Sequence, residues 1–214
     1  LKDKSQKKLI DMSIRDFADE TASESFAPGG GSISAYVGVL GVSLGTMVAN
    51  LSAHKPGWDS RWEEFSNWAV KGQKLKDELL FLVDEDTNAF NQIIEAVRLP
   101  KSNSKEQEER KNAIENATKY ATEIPFKVME TALDSLSVMK KMVEIGNQNS
   151  LSDAAVGALC AKTAIAGAFL NVRINAKDLN DKNFAKEIIK RAKNIFDEAT
   201  HIESEIIKIV NEMI

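Results

Sequence analysis

Three carboxylates fall within three consecutive residues of the stretch Leu82-Val83-Asp84-Glu85-Asp86-Thr87-Asn88-Ala89-Phe90, and one of them is out of place. From Arg61 to Leu99, apolar residues recur at Trp62, Phe65, Ala69, Leu75, Leu79, Val83, Phe90, Ile93 and Val97, the three-and-four spacing of one helical face. At 100° per residue Asp86 lies within about 20° of the centre of that face, whereas Asp84, Glu85, Asn88 and Glu95 point well away. An inward carboxylate costs several kcal/mol of desolvation unless it is hydrogen-bonded, paired or neutralised. A half-buried carboxyl with a raised pKa also gives and takes protons readily, so general acid-base chemistry is one reason to keep it. The structural alternative is a satisfied buried polar residue that caps a neighbouring helix or pairs with a lysine. Periodicity leaves both open.

A second feature with chemical potential is Ala27-Pro28-Gly29-Gly30-Gly31-Ser32, a glycine loop that feeds a helix. Free N–H groups and the positive end of the helix dipole make Gly29 to Ser32 a candidate anion site. It lacks the spacing of a nucleotide-binding loop, and glycine-rich turns commonly just turn.

The elements that must position these groups read as helices throughout. Alternating β patterns are scarce, and nearly every segment has a period of 3.6 residues, which predicts an all-α, single-domain helical bundle spanning residues 1–214. Ser13 with Asp16 predicts a capped short helix that fades near Ala22. Ile33 to Leu51 carries no charge and contains Gly41-x-x-x-Gly45, so a membrane span competes with a buried central helix. Interspersed Ser34, Ser43, Thr46 and Asn50, without an aromatic belt or polybasic flank, favour the buried helix. Its small residues Gly31, Ser34, Gly38, Gly45, Ala49 and Ser52 share a face that lets another helix approach closely.

Asp59 or Ser60 is expected to cap the helix that carries Asp86. Ser104 with Gln107 forms a further capping pattern, Pro125 is expected to interrupt the helix that follows, and Gly146 to end it. Ser152 is expected to cap the next helix, whose Gly157, Cys160, Ala161, Ala164 and Ala168 form a second small face continued by Asp153, Asn171 and Asn175. Two small-faced central helices predict close packing, within one subunit or across a homodimer. Asp181 caps a final amphipathic helix.

The chain has 214 residues, 43% hydrophobic and 28% charged, with a net charge of −4. That leaves no basic surplus for a nucleic-acid backbone and favours a small-molecule or protein partner. One cysteine, Cys160, fits a reducing cytoplasm, and His54 and His201 lie too far apart in the sequence to suggest a metal site. Leu1 to Leu9 show no signal-peptide core.

The segments Pro28-Gly29-Gly30-Gly31-Ser32, Leu82 to Asp86 running on to Ala89-Phe90 and Leu99-Pro100-Lys101, and Gly146-Asn147 through Ser152-Asp153 to Phe169-Leu170-Asn171-Val172 together resemble the formiminotetrahydrofolate cyclodeaminase and methenyltetrahydrofolate cyclohydrolase family. The likeness runs from about Phe17 to Glu212. It implies a compact dimeric helical domain in folate one-carbon metabolism, with a tetrahydrofolate derivative as substrate, no separate cofactor and no metal. The implied reaction is attack of N10 on the formimino carbon of 5-formiminotetrahydrofolate, loss of ammonia and formation of 5,10-methenyltetrahydrofolate. Hydrolysis of the methenyl compound, or a folate-binding scaffold without catalysis, are the alternatives.

On this resemblance Asp86 matches the family's Asp-x-x-Ala-Phe position and becomes the proton shuttle, with Asp84 as the fallback. Lys55, Arg98, Lys101 or the Gly29 to Ser32 helix start would hold the anionic glutamate tail. Asn147, Asp153, Asn171 and Asn175 would read the pterin edge. His54-Lys55-Pro56 departs from the Gly-Lys-Lys-like turn common in relatives, which leaves the basic anchor open.

Overall fold

The computed structural model describes residues 8–214, so most of the opening stretch read for a signal peptide lies outside the described residues. Six helices follow one another: α1 (Ile14–Thr21), α2 (Gly30–Ala53), α3 (Trp62–Arg98), α4 (Ser104–Ile145), α5 (Leu151–Lys177) and α6 (Lys182–Met213). No strand occurs among the described residues. Helix α2 lies at the centre, packed against α3, α4 and α5, while α6 closes the bundle over α4 and α5. From α2 to α6 the direction reverses at each connection. The N-terminal end of α2, the second half of α3 and the C-terminal end of α5 therefore share one end of the molecule.

Small residues on α2 explain how it becomes the centre. A Cβ on Gly41 would lie 2.7 Å from the carbonyl oxygen of Gly157, and one on Gly157 would lie 2.8 Å from that of Gly41. The α2 and α5 backbones thus touch, and the two small faces meet within one subunit. Gly45 faces α4 instead, with Met139 Sδ 2.9 Å from where its Cβ would be. Both α2 and α5 are long and apolar enough to cross a membrane, but α2 is enclosed on three sides by the bundle.

The α3 face appears as expected from Phe65 to Val83, with Phe65, Ala69, Leu75, Leu79 and Val83 all buried. Its two ends are exposed: Trp62 at the start, Phe90 and Val97 near the finish. At 37 and 42 residues, α3 and α4 run about 56 and 63 Å, against about 36 Å for α2, so their hairpin overshoots the bundle and carries Val97 into solvent.

Four expected boundaries are corrected. Asn103, not Ser104, caps α4 by accepting from Glu106 N–H at 3.0 Å, while the Glu106 carboxylate accepts from Ser102 N–H. Pro125 lies inside an unbroken α4, because its missing donor is replaced from another helix, as described below. Ser152 lies within α5, since Gln148–Ser150 first winds a 3₁₀ turn capped by Asn147 and the helix starts at buried Leu151. Neither Asp59 nor Ser60 caps α3, because a 3₁₀ turn leads in and places Arg61 over the Trp58 and Phe65 rings. Ser13, Gly146 and Asp181 stand at the expected ends of α1, α4 and α6.

Candidate active site around Asp86

The first turn of α2 and the middle of α3 meet at Asp86. The Ser32 hydroxyl donates to Asp86 Oδ2 at 3.0 Å, and Thr87 Oγ1 lies 3.4 Å from the same hydroxyl. A Cβ built on Gly31 would sit 2.0 Å from Asp86 Oδ1, inside any possible contact, so only glycine lets the carboxyl lie against the helix start. Burial pushes the Asp86 carboxyl above its ordinary range, and the Ser32 hydroxyl and backbone N–H pull more weakly the other way. The glycine turn is thus engaged with a carboxylate of the chain itself.

Asp86 opens on a cavity of about 140 Å³, lined also by Gly29, Gly30, Gly31, Phe90, Asn171 and Asn175. The wall opposite Asp86 comes from α5. Asn171 Nδ2 donates to the Gly167 carbonyl at 2.9 Å, one turn back, and its amide lies 3.5 Å from where a Gly30 Cβ would be. Asn175 Nδ2 donates to the Ala121 carbonyl of α4 at 2.7 Å. A larger recess of about 580 Å³ shares Phe26, Ala27, Thr87 and Phe90 with this cavity and continues past Asp84. Asp84 Oδ1 accepts from Leu9 N–H at 2.7 Å, which ties the N-terminal segment to α3.

Next to Asp86, Glu85 turns to the other side of α3 and accepts from the Tyr120 hydroxyl at 2.5 Å and from Asn88 Nδ2 at 3.2 Å. The bond to Glu85, then burial, pushes the Tyr120 phenol up to about 12. This clamp fastens α3 to α4 beside Ala121. Further out, Glu115 accepts from Asn180 and Asp181 N–H, and Lys119 pairs with Asp181 at 2.7 Å, securing the start of α6.

The structure therefore gathers Gly29, Gly30, Gly31, Ser32, Asp86, Asn171 and Asn175 around one cavity. It does not bring the remaining sequence candidates there. Lys55 lies beyond the other end of α2, roughly 35 Å along its axis, with Nζ 4.1 Å from the Trp58 ring. Asn147 is at that same end, where its N–H donates to Ser52 Oγ, and Asp153 is in the first turn of α5 nearby. Arg98 and Lys101 are exposed on the overshooting hairpin, Arg98 about 18 Å of helix beyond Asp86. Thr87, Phe26 and Ala121 line the cavity without a sequence signal, whereas Phe90 carried one, four residues after Asp86 and on the same face.

A family model described as formiminotransferase-cyclodeaminase matches residues 13–194 of this chain. Mouse formimidoyltransferase-cyclodeaminase is 32% identical over 194 residues, which is 91% of this chain and 36% of the mouse protein. The chain thus spans about a third of the length of such relatives. Methenyltetrahydrofolate cyclohydrolase of Methylorubrum extorquens is 31% identical over 201 residues, covering 94% of this chain and 97% of that one. The crystal structure of formiminotetrahydrofolate cyclodeaminase from Thermotoga maritima superposes with a TM-score of 0.83 at 25% identity, covering 95% and 98% of the two chains.

Proposed function

This chain belongs to the formiminotransferase-cyclodeaminase family, and from that premise we propose that its reaction is the cyclisation of 5-formiminotetrahydrofolate to 5,10-methenyltetrahydrofolate with release of ammonia. It is an enzyme of folate one-carbon chemistry. The observation that carries the finer reading is Asp86, a half-buried carboxyl held by Ser32 on the wall of a cavity. The cavity's 140 Å³ falls below the roughly 300–1,000 Å³ of pockets that hold drug-sized ligands. It suits the reacting group, and the adjoining recess suits the body of a folate.

In this reading N10 attacks the carbon of the formimino group, which enters protonated as CH=NH2+, the N10 proton leaves to the Asp86 carboxylate, and the new carbon–nitrogen bond closes the ring while the C=N pair moves onto the formimino nitrogen as NH2. The protonated carboxyl then returns a proton to the departing nitrogen, and ammonia leaves as the methenyl cation forms. Both reacting atoms belong to one molecule, so the protein's part is to hold them in near-attack geometry and move the proton. A pKa raised by burial brings the two protonation states closer in free energy than in water. Arg98 and Lys101, at the same end of the bundle, are proposed to meet the anionic tail.

The cyclohydrolase reading has its own support in the Methylorubrum relative, which matches over nearly its whole length. An absorbance assay separates the two. Formation of the methenyl chromophore from the formimino compound, with equimolar ammonia, supports cyclodeamination; loss of that chromophore from methenyltetrahydrofolate with no action on the formimino compound overturns it. We further propose a homodimer, supported by exposed Leu40 on α2 and by Leu170 and Ile174 on α5, in the reducing cytoplasm that the lone free Cys160 fits. A monomer mass in solution contradicts it.

A further inference from the structure

Proline has no N–H, so Pro125 inside α4 leaves the Ala121 carbonyl, four residues back, without its helical partner. Asn175 supplies the missing donor across the α4–α5 interface at 2.7 Å. A carbonyl can only accept, so the atom bonded to it must be the amide nitrogen, and the orientation of the Asn175 amide is fixed by chemistry. Among the described residues its Oδ1 has no protein partner, while every fully buried side-chain nitrogen or oxygen there has one. The oxygen therefore retains access to the cavity that Asn175 lines.

Asn171, one turn earlier, likewise gives one Nδ2 hydrogen to the Gly167 carbonyl, which orients its amide and, among the described residues, leaves Oδ1 free. The α5 wall thus offers acceptors to a ligand, facing a carboxyl on the α3 wall. A group that satisfies both walls carries N–H donors. A formimino group, especially when protonated, does so; a formyl group, with oxygen in place of that nitrogen, does not.

We propose that Asn175, locked by the carbonyl that Pro125 frees, is the specificity-determining acceptor that receives the N–H of the substrate's formimino group and holds it against Asp86. This assignment rests on the cyclodeaminase reading above. It gives a proline inside a helix a role at the site: Pro125 positions Asn175, and Asn175 touches substrate. It also separates the two readings of the family chemistry, because a methenyl carbon carries no such N–H.

The test uses parent, Asn175→Ala, Pro125→Ala and the double variant. For each, kcat/KM for 5-formiminotetrahydrofolate is compared with competitive inhibition by 5-formyltetrahydrofolate. In Pro125→Ala the helix regains its own N–H for the Ala121 carbonyl, so Asn175 loses its lock but keeps its amide, and kcat/KM is expected to fall, though less than in Asn175→Ala. Asn175→Ala is expected to lower kcat/KM by about tenfold or more, the scale of one lost hydrogen bond to a charged group, and to leave the formyl inhibition constant within about twofold. Adding Asn175→Ala to Pro125→Ala is expected to bring kcat/KM down to the level of Asn175→Ala, and this comparison decides the matter if Asn175→Ala alone folds poorly. A Pro125→Ala variant with the parent's kcat/KM that loses nothing further on adding Asn175→Ala, or equal weakening of the formyl compound by Asn175→Ala, overturns the assignment and leaves the function reading standing. A parent that does not turn over the formimino compound overturns both.

Discussion

Helix α2 comes too close for a side chain at both Gly31 and Gly41, but it meets different things. At Gly41 a Cβ would strike the carbonyl of Gly157, at 2.7 Å, and the backbone N–H of Ala161, at 3.1 Å, atoms that cannot move without shifting a helix. At Gly31 it would strike the end of the Asp86 side chain, which can rotate away. The first contact holds the bundle together. The second holds one carboxyl in a place where it would not stay by itself, because burial disfavours its charge. One glycine is a packing requirement and the other a chemical one, so substitutions at the two should separate stability from turnover in opposite senses.

The largest expected effect is at the chemical end. Asp86→Asn should lower turnover about 10²- to 10⁴-fold, the scale of general acid-base catalysis, measured on folded protein. Its stability should be equal to the parent's or higher at neutral pH. A carboxyl whose folded pKa is raised contributes stability that is complete below the unfolded value and lost as pH rises through the folded one. At neutral pH the parent therefore carries a desolvation cost that Asn lacks, and the difference should shrink on acidification towards 3.8. A purely structural carboxylate would instead show loss of stability by more than about 1 kcal/mol with turnover of the folded fraction intact.

Gly31→Ala should follow, with a turnover loss on the order of 10²-fold from a displaced Asp86 and a change in unfolding free energy below about 1 kcal/mol. Gly41→Ala is its mirror. Denaturant titration should show a loss of about 1–3 kcal/mol from overpacking, while kcat at a temperature where the variant is folded stays within a few-fold of the parent's. If the two variants give the same pattern, the distinction between the glycines is wrong.

The smallest effect is expected at the far end of α2. There Lys55 and Arg61 lie over Trp58, and Trp58 stacks on Phe65 at 5.4 Å. Lys55→Ala should cost about 0.5–1 kcal/mol of stability, as for an exposed cation–π contact, and leave the KM for folate unchanged. A tenfold rise in KM would show that this end also meets substrate.

What the sequence made legible follows the same division. Helical periodicity placed α3 within a residue at each end and singled out Asp86, because both depend on spacing along one element. Gly29, Gly30, Asn171 and Asn175 were readable as candidates, but not as neighbours: only the reversal of α2 and α5 brings them to one end. Pro125 reads locally as an interruption, since nothing nearby shows that a side chain 50 residues later will answer the carbonyl it frees. Lys55 was readable as a cation, while its place over Trp58 depends on how the turn folds. Asn147 and Asp153 have amide and carboxyl groups suited to a pterin, yet α5 is long enough to set them at the opposite end from Asn175.

The central claim is that burial at the start of α2 makes Asp86 a carboxyl that exchanges protons with substrate. Its titration can be followed directly in the free protein by carboxyl-region infrared difference spectra or carbon-13 NMR, with Asp86→Asn identifying the signal. The expected result is a midpoint above the ordinary aspartate value of 3.8 that recurs as one limb of the pH profile of kcat/KM. A midpoint at or below 3.8, or a pH profile unchanged in Asp86→Asn, would contradict it.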